Sequence, residues 1–259
     1  MEEIQAAGCN GASAHAQMYI MNTLLKYGSA DQKAAYLPGI ASGELRLQAF
    51  GVSEPTSGTD TLSLKTRAVR DGDDYVVNGQ KIWTSRAEHS DLMLLLARTT
   101  PREDVAKRTE GLSIFLVDMR AAVGKGLTIK PIRTLMNHST TEVFFDDLRI
   151  PASALIGEEG QGFRYILSGM NAERILIAAE CIGDGRFFID RATACTTVTQ
   201  VDQLLLQGFQ FLDADCHVLD VLVDQVVDDG TVLRRRVFKF QQRANLIQCH
   251  VQPSAMPDE

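Results

Sequence analysis

The stretch Gly51–Asp60, GVSEPTSGTD, gathers two glycines, four hydroxyl side chains, two acids and a proline into ten residues. Glycine and proline shape turns, and Ser and Thr hydroxyls satisfy nearby backbone, so the plain reading is a surface loop. The sharper reading is a loop that wraps a polar ligand. Small residues there let the backbone approach, and hydroxyls supply donors. The segments on either side decide which reading has a context.

Upstream, residues 13–26 carry a helical pattern, with Met18, Met21 and Leu25 on one side and Ile20 and Leu24 nearby. Gly28 is the expected stop. Asp31 is the expected N-cap of a short helix over QKAAYL, ended by Pro38. Downstream, from Leu45 to about Pro151, the texture is that of strands. TRAVRDGDDYVVNGQKIWT holds β-prone runs separated by Asp71-Gly72 and Asn78-Gly79, both strong hairpin signals. DLMLLLA, GLSIFLVDM and TEVFFDDLRIP add further buried strands, giving a mostly antiparallel sheet that closes toward a barrel or sandwich. From Gly162 helix returns, with Phe163, Ile166, Leu167, Met170, Ile177, Ala178 and Cys181 at spacings of three and four. Glu173 and Arg174 interrupt that stripe. Two ionisable groups on an apolar face are either a structural pair or part of a site.

The chain has 259 residues, is 45% hydrophobic, and carries a formal charge of -7. That balance speaks against a large nucleic-acid footprint. Five cysteines at 9, 181, 195, 216 and 249 form no CxxC pair and no Cys/His ligand spacing, so a reduced compartment and no metal site are expected. No apolar run reaches the roughly 18 residues of a membrane helix. The opening MEEIQAAGCNGASAHAQ lacks a basic segment followed by an apolar one, so it is not read as a signal peptide. After Arg191 the residues turn β-branched, and VVDDGTVLRRRVFKF reads as a hairpin around Asp229-Gly230.

GVSEPTSGTDTLS, Gly51–Ser63, resembles the signature of the acyl-CoA dehydrogenase family. NGQKIWTS resembles the family's flavin-contacting strand, and NHSTTEVFFDDLRIPASALIGEEGQGF resembles the end of its β-domain. MNAERILIAAECIG is similar to the following helix in the isovaleryl-CoA and long-chain branches. The resemblance covers residues 1–192. It implies an α+β fold: the end of an N-terminal helical domain over 1–44, a central antiparallel, barrel-like β-domain over 45–151, and the start of a C-terminal helical domain over 152–192. It implies FAD as cofactor and an acyl-CoA thioester as substrate. Carried over by position, Phe50, Val52 and Ser53 line the isoalloxazine. Gly58 and Thr59 face cofactor and acyl-CoA, Trp83 packs on the ring system, and Ser85 bonds near flavin N5. Taken singly, a lone Trp in a strand is also ordinary core and Ser53 also satisfies a turn.

The chemistry the resemblance implies is removal of a proton α to the thioester and hydride transfer from the β-carbon to flavin N5. A carboxylate in a desolvated pocket suits the first step. In those two branches the Glu lies on this helix just before an Arg, so Glu173 is the candidate base. Asn171 and Arg174 are candidate substrate contacts. The resemblance further implies electron-transfer flavoprotein as acceptor, a homo-oligomeric tetramer or dimer, and a cytoplasmic or mitochondrial-matrix location by source. It also implies a longer N-terminal helical domain than this chain carries, and C-terminal motifs that are not visible after residue 192. The tail, 193–259, is therefore expected to be divergent or frame-altered. The alternative reading is an inactive homologue that binds acyl-CoA or FAD weakly or associates with intact subunits. An oxidase using the same flavin chemistry is a third.

Overall fold

The structure is a computed structural model, and it describes residues 1–135 and 139–194. The chain divides into two compact units, Met1–Asp184 and Gly185–Glu259. Of the second, the described part is the end of the last helix, where the Phe187 and Phe188 rings meet edge-on at 5.4 Å. The expected hairpin at Asp229-Gly230 and the expected non-helical tail lie outside the described residues.

Three helices open the first unit: α1 (Glu2–Ala6), α2 (Ala12–Tyr27) and α3 (Ala30–Ser42). α2 stops where expected, with Gly28 as its C-cap. Its buried face differs from expectation. Ile20 and Leu24 are buried with Ala16, while Met18 and Leu25 are exposed. Periodicity locates a stripe, but methionine and leucine alone do not tell which edge of it meets the sheet. α3 begins one turn signal earlier than read. Ser29, not Asp31, is the N-cap: its hydroxyl accepts the Gln32 N–H at 3.0 Å, and Gln32 Oε1 accepts the Ser29 N–H at 3.0 Å. Gln32 also donates to the Ser153 and Leu155 carbonyls at 2.7 and 2.9 Å, which docks the helix start on the β-domain. Pro38 does not end this helix. It continues to Ser42 and stops at Gly43, whose φ of +82° is the left-handed conformation glycine favours. A helix-interior proline costs about 3 kcal/mol; burial of Ile40 beyond it opposes that cost. Ser29→Ala should lower the stability of the chain by about 1 kcal/mol, read from the urea midpoint.

The β-domain comprises β1 (Leu47–Gly51), β2 (Arg67–Asp71), β3 (Asp74–Ser85), β4 (Leu92–Arg98), β5 (Leu112–Asp118), β6 (Leu127–Pro131), β7 (Thr140–Pro151) and β8 (Leu155–Ile156). A short helix, α4 (Met119–Ala122), follows β5. The strand order is β6-β7-β3-β2-β4-β5-β8, with β1 added on β4. Neighbours are antiparallel except that β1 and β2 run parallel to β4, so the sheet is mixed. A parallel neighbour needs a crossover connection, and β1 reaches β4 only after the intervening β2–β3 hairpin.

That hairpin turns at Gly72, φ +62°, as its sequence predicts. Asn78-Gly79 makes no hairpin. β3 runs straight through it, with a register shift against β7 between Val77 and Gly79. Gly79 has φ +146°, and a Cβ there would lie 2.6 Å from Thr66 Cα, so this glycine serves a close strand approach rather than a turn.

The β4 run LMLLLA is apolar throughout because both its faces are covered. Met93, Leu95 and Ala97 join Phe115, Val117, Val143 and Phe145 on one side. Leu92, Leu94 and Leu96 join Leu112, Ile114 and Leu116 on the other, under Ile20 and Leu24 of α2. The last element, α5 (Gly162–Ala194), starts on this second core through Tyr165 and Ile166. Leu167 and Ile177, read as part of its buried stripe, are instead 44% and 45% exposed.

Candidate active site

The loop after β1 answers the opening stretch in two parts. Several of its polar groups close the loop on itself. Glu54 and Ser57 exchange backbone hydrogen bonds at 3.1 Å, the Ser57 hydroxyl donates to the Asp60 carbonyl at 2.6 Å, and Asp60 pairs with Arg108 at 3.1 Å. Ser53, with Val52 and Gly58, instead lines a cleft of about 410 Å³.

The second wall comes from the end of β3. The register against β7 slips between Lys81 and Thr84, and Trp83 within that bulge has φ +61°. A bulge re-aims a side chain, and a non-glycine residue held at positive φ marks local strain of the kind found at functional sites. Trp83 is 60% exposed and lines the cleft with Ile82 and Ser85. Arg86, also at positive φ, donates to Gln48 Oε1 at 2.7 Å, and both residues belong to the same wall.

Helices supply the rest. α2 contributes Ala12, His15, Ala16 and Tyr19, a helical face with two small residues and two polar rings; α5 contributes Met170 and Glu173. Tyr19 meets His15 edge-on at 5.4 Å and Phe50 at 5.6 Å. His15 Nδ1 sits within hydrogen-bond distance of Glu180 Oε1, at 2.9 Å. Burial pushes the Glu173 carboxyl above its ordinary value, with the His15 and Arg174 charges opposing. Burial, then the Glu173 charge, pushes the Tyr19 hydroxyl up.

Of the residues singled out from sequence, Phe50, Val52, Ser53, Gly58, Trp83, Ser85 and Glu173 surround this one cleft. Thr59, Asn171 and Arg174 are exposed and do not line it. Arg174 is not paired through a hydrogen bond with Glu173; it donates to Asn171 Oδ1 at 2.7 Å. The sequence reading missed His15, Tyr19, Gln48 and Arg86. The first two share an i, i+4 helical face with Ala12 and Ala16, a polar-and-small pattern that an apolar count passes over.

The combination is a half-open slot. Its lining is aromatic, aliphatic and hydroxyl-bearing, and it includes a carboxyl whose proton affinity burial raises. The chemistry available is proton transfer at the carboxyl that lines the cleft. Among the described residues there is no group of three or more His, Cys, Asp or Glu placed to hold a metal ion, and no helix long and apolar enough to cross a membrane.

Residues 1–44 match the family model for the acyl-CoA dehydrogenase N-terminal domain, and residues 49–148 match the acyl-CoA dehydrogenase middle domain. Acyl-CoA dehydrogenase FadE26 of Mycobacterium tuberculosis is 40% identical over 157 residues, covering 61% of this chain and 38% of that protein. The solved Tcur3481-Tcur3483 steroid ACAD superposes with a TM-score of 0.66 at 38% identity, covering 74% of this chain and 48% of that one. Glutaryl-coenzyme A dehydrogenase in complex with glutaryl-CoA gives a TM-score of 0.66 at 29% identity, again covering 74% and 48%. The chain thus spans about half or less of the length of the relatives it matches, from 38% to 56% of the first curated ones. Helices, mixed sheet, loop, strand end and both domain matches agree: the chain belongs to the acyl-CoA dehydrogenase family.

Proposed function

We propose that this chain serves FAD-dependent α,β-dehydrogenation of an acyl-CoA thioester, with Glu173 as the base. The observation that carries the reading is the one cleft lined by Glu173, by Ser53 and Gly58 of the hydroxyl-bearing loop, and by the exposed Trp83. The residues fit a flat aromatic ring with a polar edge. Phe50, Val52, Ile82 and Trp83 offer apolar surface for its face, and Ser53 and Ser85 offer hydroxyl donors for its rim. FAD, when bound, supplies the hydride acceptor.

The protein's part is to hold and move a proton. Glu173 is half-buried, and burial makes its carboxylate a stronger base than a solvated one. The space beside Gly58 is open, with no atom within 4 Å of where a Cβ would be, so a ligand there would meet the loop backbone directly. The substrate class, the base and the cofactor contacts are parts of this proposal. So are electron-transfer flavoprotein as acceptor and a homo-oligomeric assembly.

Titrated with FAD and then mixed anaerobically with acyl-CoA thioesters of varied chain, the chain is expected to bleach the flavin band. FAD binding without bleaching by any thioester would support the inactive, ligand-binding homologue instead. Trp83→Ala is expected to weaken FAD affinity about tenfold or more through lost aromatic contact area. Unchanged affinity would return Trp83 to an ordinary surface role.

A further inference from the structure

Two residues before Trp83, strand β3 buries a charge. Lys81 has no exposed side-chain surface, and its ammonium donates to the Val52 carbonyl at 3.0 Å and to Glu54 Oε1 at 2.8 Å. Glu54, itself 4% exposed at the side chain, also accepts the backbone N–H groups of Lys65 and Thr66 at 2.6 and 2.9 Å. The next residue on the strand, Ile82, donates its N–H to the Ser53 carbonyl at 2.9 Å. This point on β3 therefore ties down the start of the loop that carries Ser53 and Gly58, and Glu54 in turn holds Lys65 and Thr66 where the loop returns. The same strand then presents Trp83 and Ser85.

A buried ion pair is a poor way to gain stability, because desolvation offsets the attraction and apolar replacements are often as stable. What an ion pair with four fixed hydrogen bonds does supply is geometry. We propose that Lys81 and Glu54 are positioning residues for the cofactor cleft: together they hold the Val52–Ser53 wall in register with the Trp83–Ser85 wall, so that charge on Lys81 strengthens FAD binding without touching the ligand. The proposal rests on the flavin reading for its ligand and on the buried pair for its geometry.

Burial lowers the Lys81 ammonium to about 8, against the opposing Glu54 charge. Burial alone raises the Glu54 carboxyl, but the Lys81 charge and the hydrogen bonds from Lys81, Lys65 and Thr66 hold it below its ordinary value. Glu54 is the charged group acting on Lys81, and Arg98 at the end of β4 interacts with Glu54 in turn. The neighbours of Lys81 from β1 and β7, Gly51 and Val143, are uncharged. Lys81 therefore loses its proton at mildly alkaline pH. If the charged form holds the walls for FAD, bound FAD raises Lys81's proton affinity, and by linkage FAD affinity falls as pH rises through that titration.

The test uses the whole chain, Lys81→Met, and the neutral, near-isosteric double variant Glu54→Gln/Lys81→Met, which avoids leaving one charge buried alone. FAD affinity is measured from neutral pH to above the Lys81 titration, alongside amide exchange of Lys65, Thr66 and Ile82 without cofactor. The unmodified chain should lose about fivefold or more in FAD affinity across the titration. The double variant should bind at the weaker level throughout, with a flat profile. A flat profile in the unmodified chain, or full affinity with an unchanged slope in the double variant, overturns the proposal. If the unmodified chain binds no FAD at any pH, the flavin reading fails, and the exchange measurement judges the tether by itself. Protection of the three amides should then fall about tenfold or more as Lys81 is neutralised by pH or substitution. Protection that stays constant in both removes the tether.

Discussion

Replacing Glu173 with glutamine should slow flavin reduction by about a hundredfold or more while leaving thioester affinity nearly intact. The amide keeps the shape and most of the polarity of the carboxylate, so a rate loss at constant binding isolates proton abstraction from packing. The opposing account is a structural role for the acid. In the structure Arg174 bonds Asn171, so that account lacks a direct hydrogen-bonded partner at the neighbouring position. The sign of the pH effect separates the two as well. The folded-state carboxyl of Glu173 is raised above its ordinary value by burial, so its ionisation opposes folding. Stability linked to it is fully present below the ordinary carboxylate value and is lost as pH rises through the folded one. Glu173→Gln should therefore be no less stable than the unmodified chain at neutral pH. Stopped-flow bleaching and thermal unfolding on one preparation read both quantities. Normal bleaching at normal affinity removes Glu173 from the mechanism.

Glu54→Leu should destabilise the chain by about 3–5 kcal/mol at slightly acid pH, because it leaves the Lys81 ammonium buried without its counter-charge. It also orphans the Lys65 and Thr66 amides that Glu54 now accepts. The part due to the lone charge should shrink as pH rises. Removing Glu54 takes away the charge that opposes burial, so Lys81 in the variant loses its proton even below its present value of about 8. The unmodified chain carries the same linkage in milder form. Its folded Lys81 value lies below the ordinary 10.5, so the unfolded chain binds more protons between the two and stability rises with pH across that window. Urea unfolding at slightly acid and mildly alkaline pH measures both slopes. A Glu54→Leu penalty that does not change with pH would mean that Lys81 carries the same charge in the variant as in the unmodified chain, so that Glu54 does not set its proton affinity.

The order of elements was legible in the residues alone. Period-three-and-four spacing before residue 28 and after Gly162, and β-prone runs between them, are local signals that tertiary packing did not reverse. The loop Gly51–Asp60 was legible too, because a turn rich in glycine and hydroxyls is written in adjacent residues. Where local chemistry had two outcomes, the tertiary structure chose. Asn78-Gly79 permits a hairpin, yet β7 pairs along the whole of β3 and the glycine became a point of close approach to Thr66. Pro38 is a helix breaker, yet Ile40 is buried beyond it and the helix continues. Nothing in NGQKIWTS marks Lys81 as buried, and only the return of Glu54 and Val52 over it makes it so. His15 and Tyr19 face the cleft only because α2 lies beside β1 and α5. Sequence determined which segments are helix or strand and which loop carries the polar groups, since those depend on neighbours along the chain. Which charge is buried, which aromatic stays exposed and which acid faces the loop depend on contacts dozens of residues apart, and the tertiary structure alone decided them.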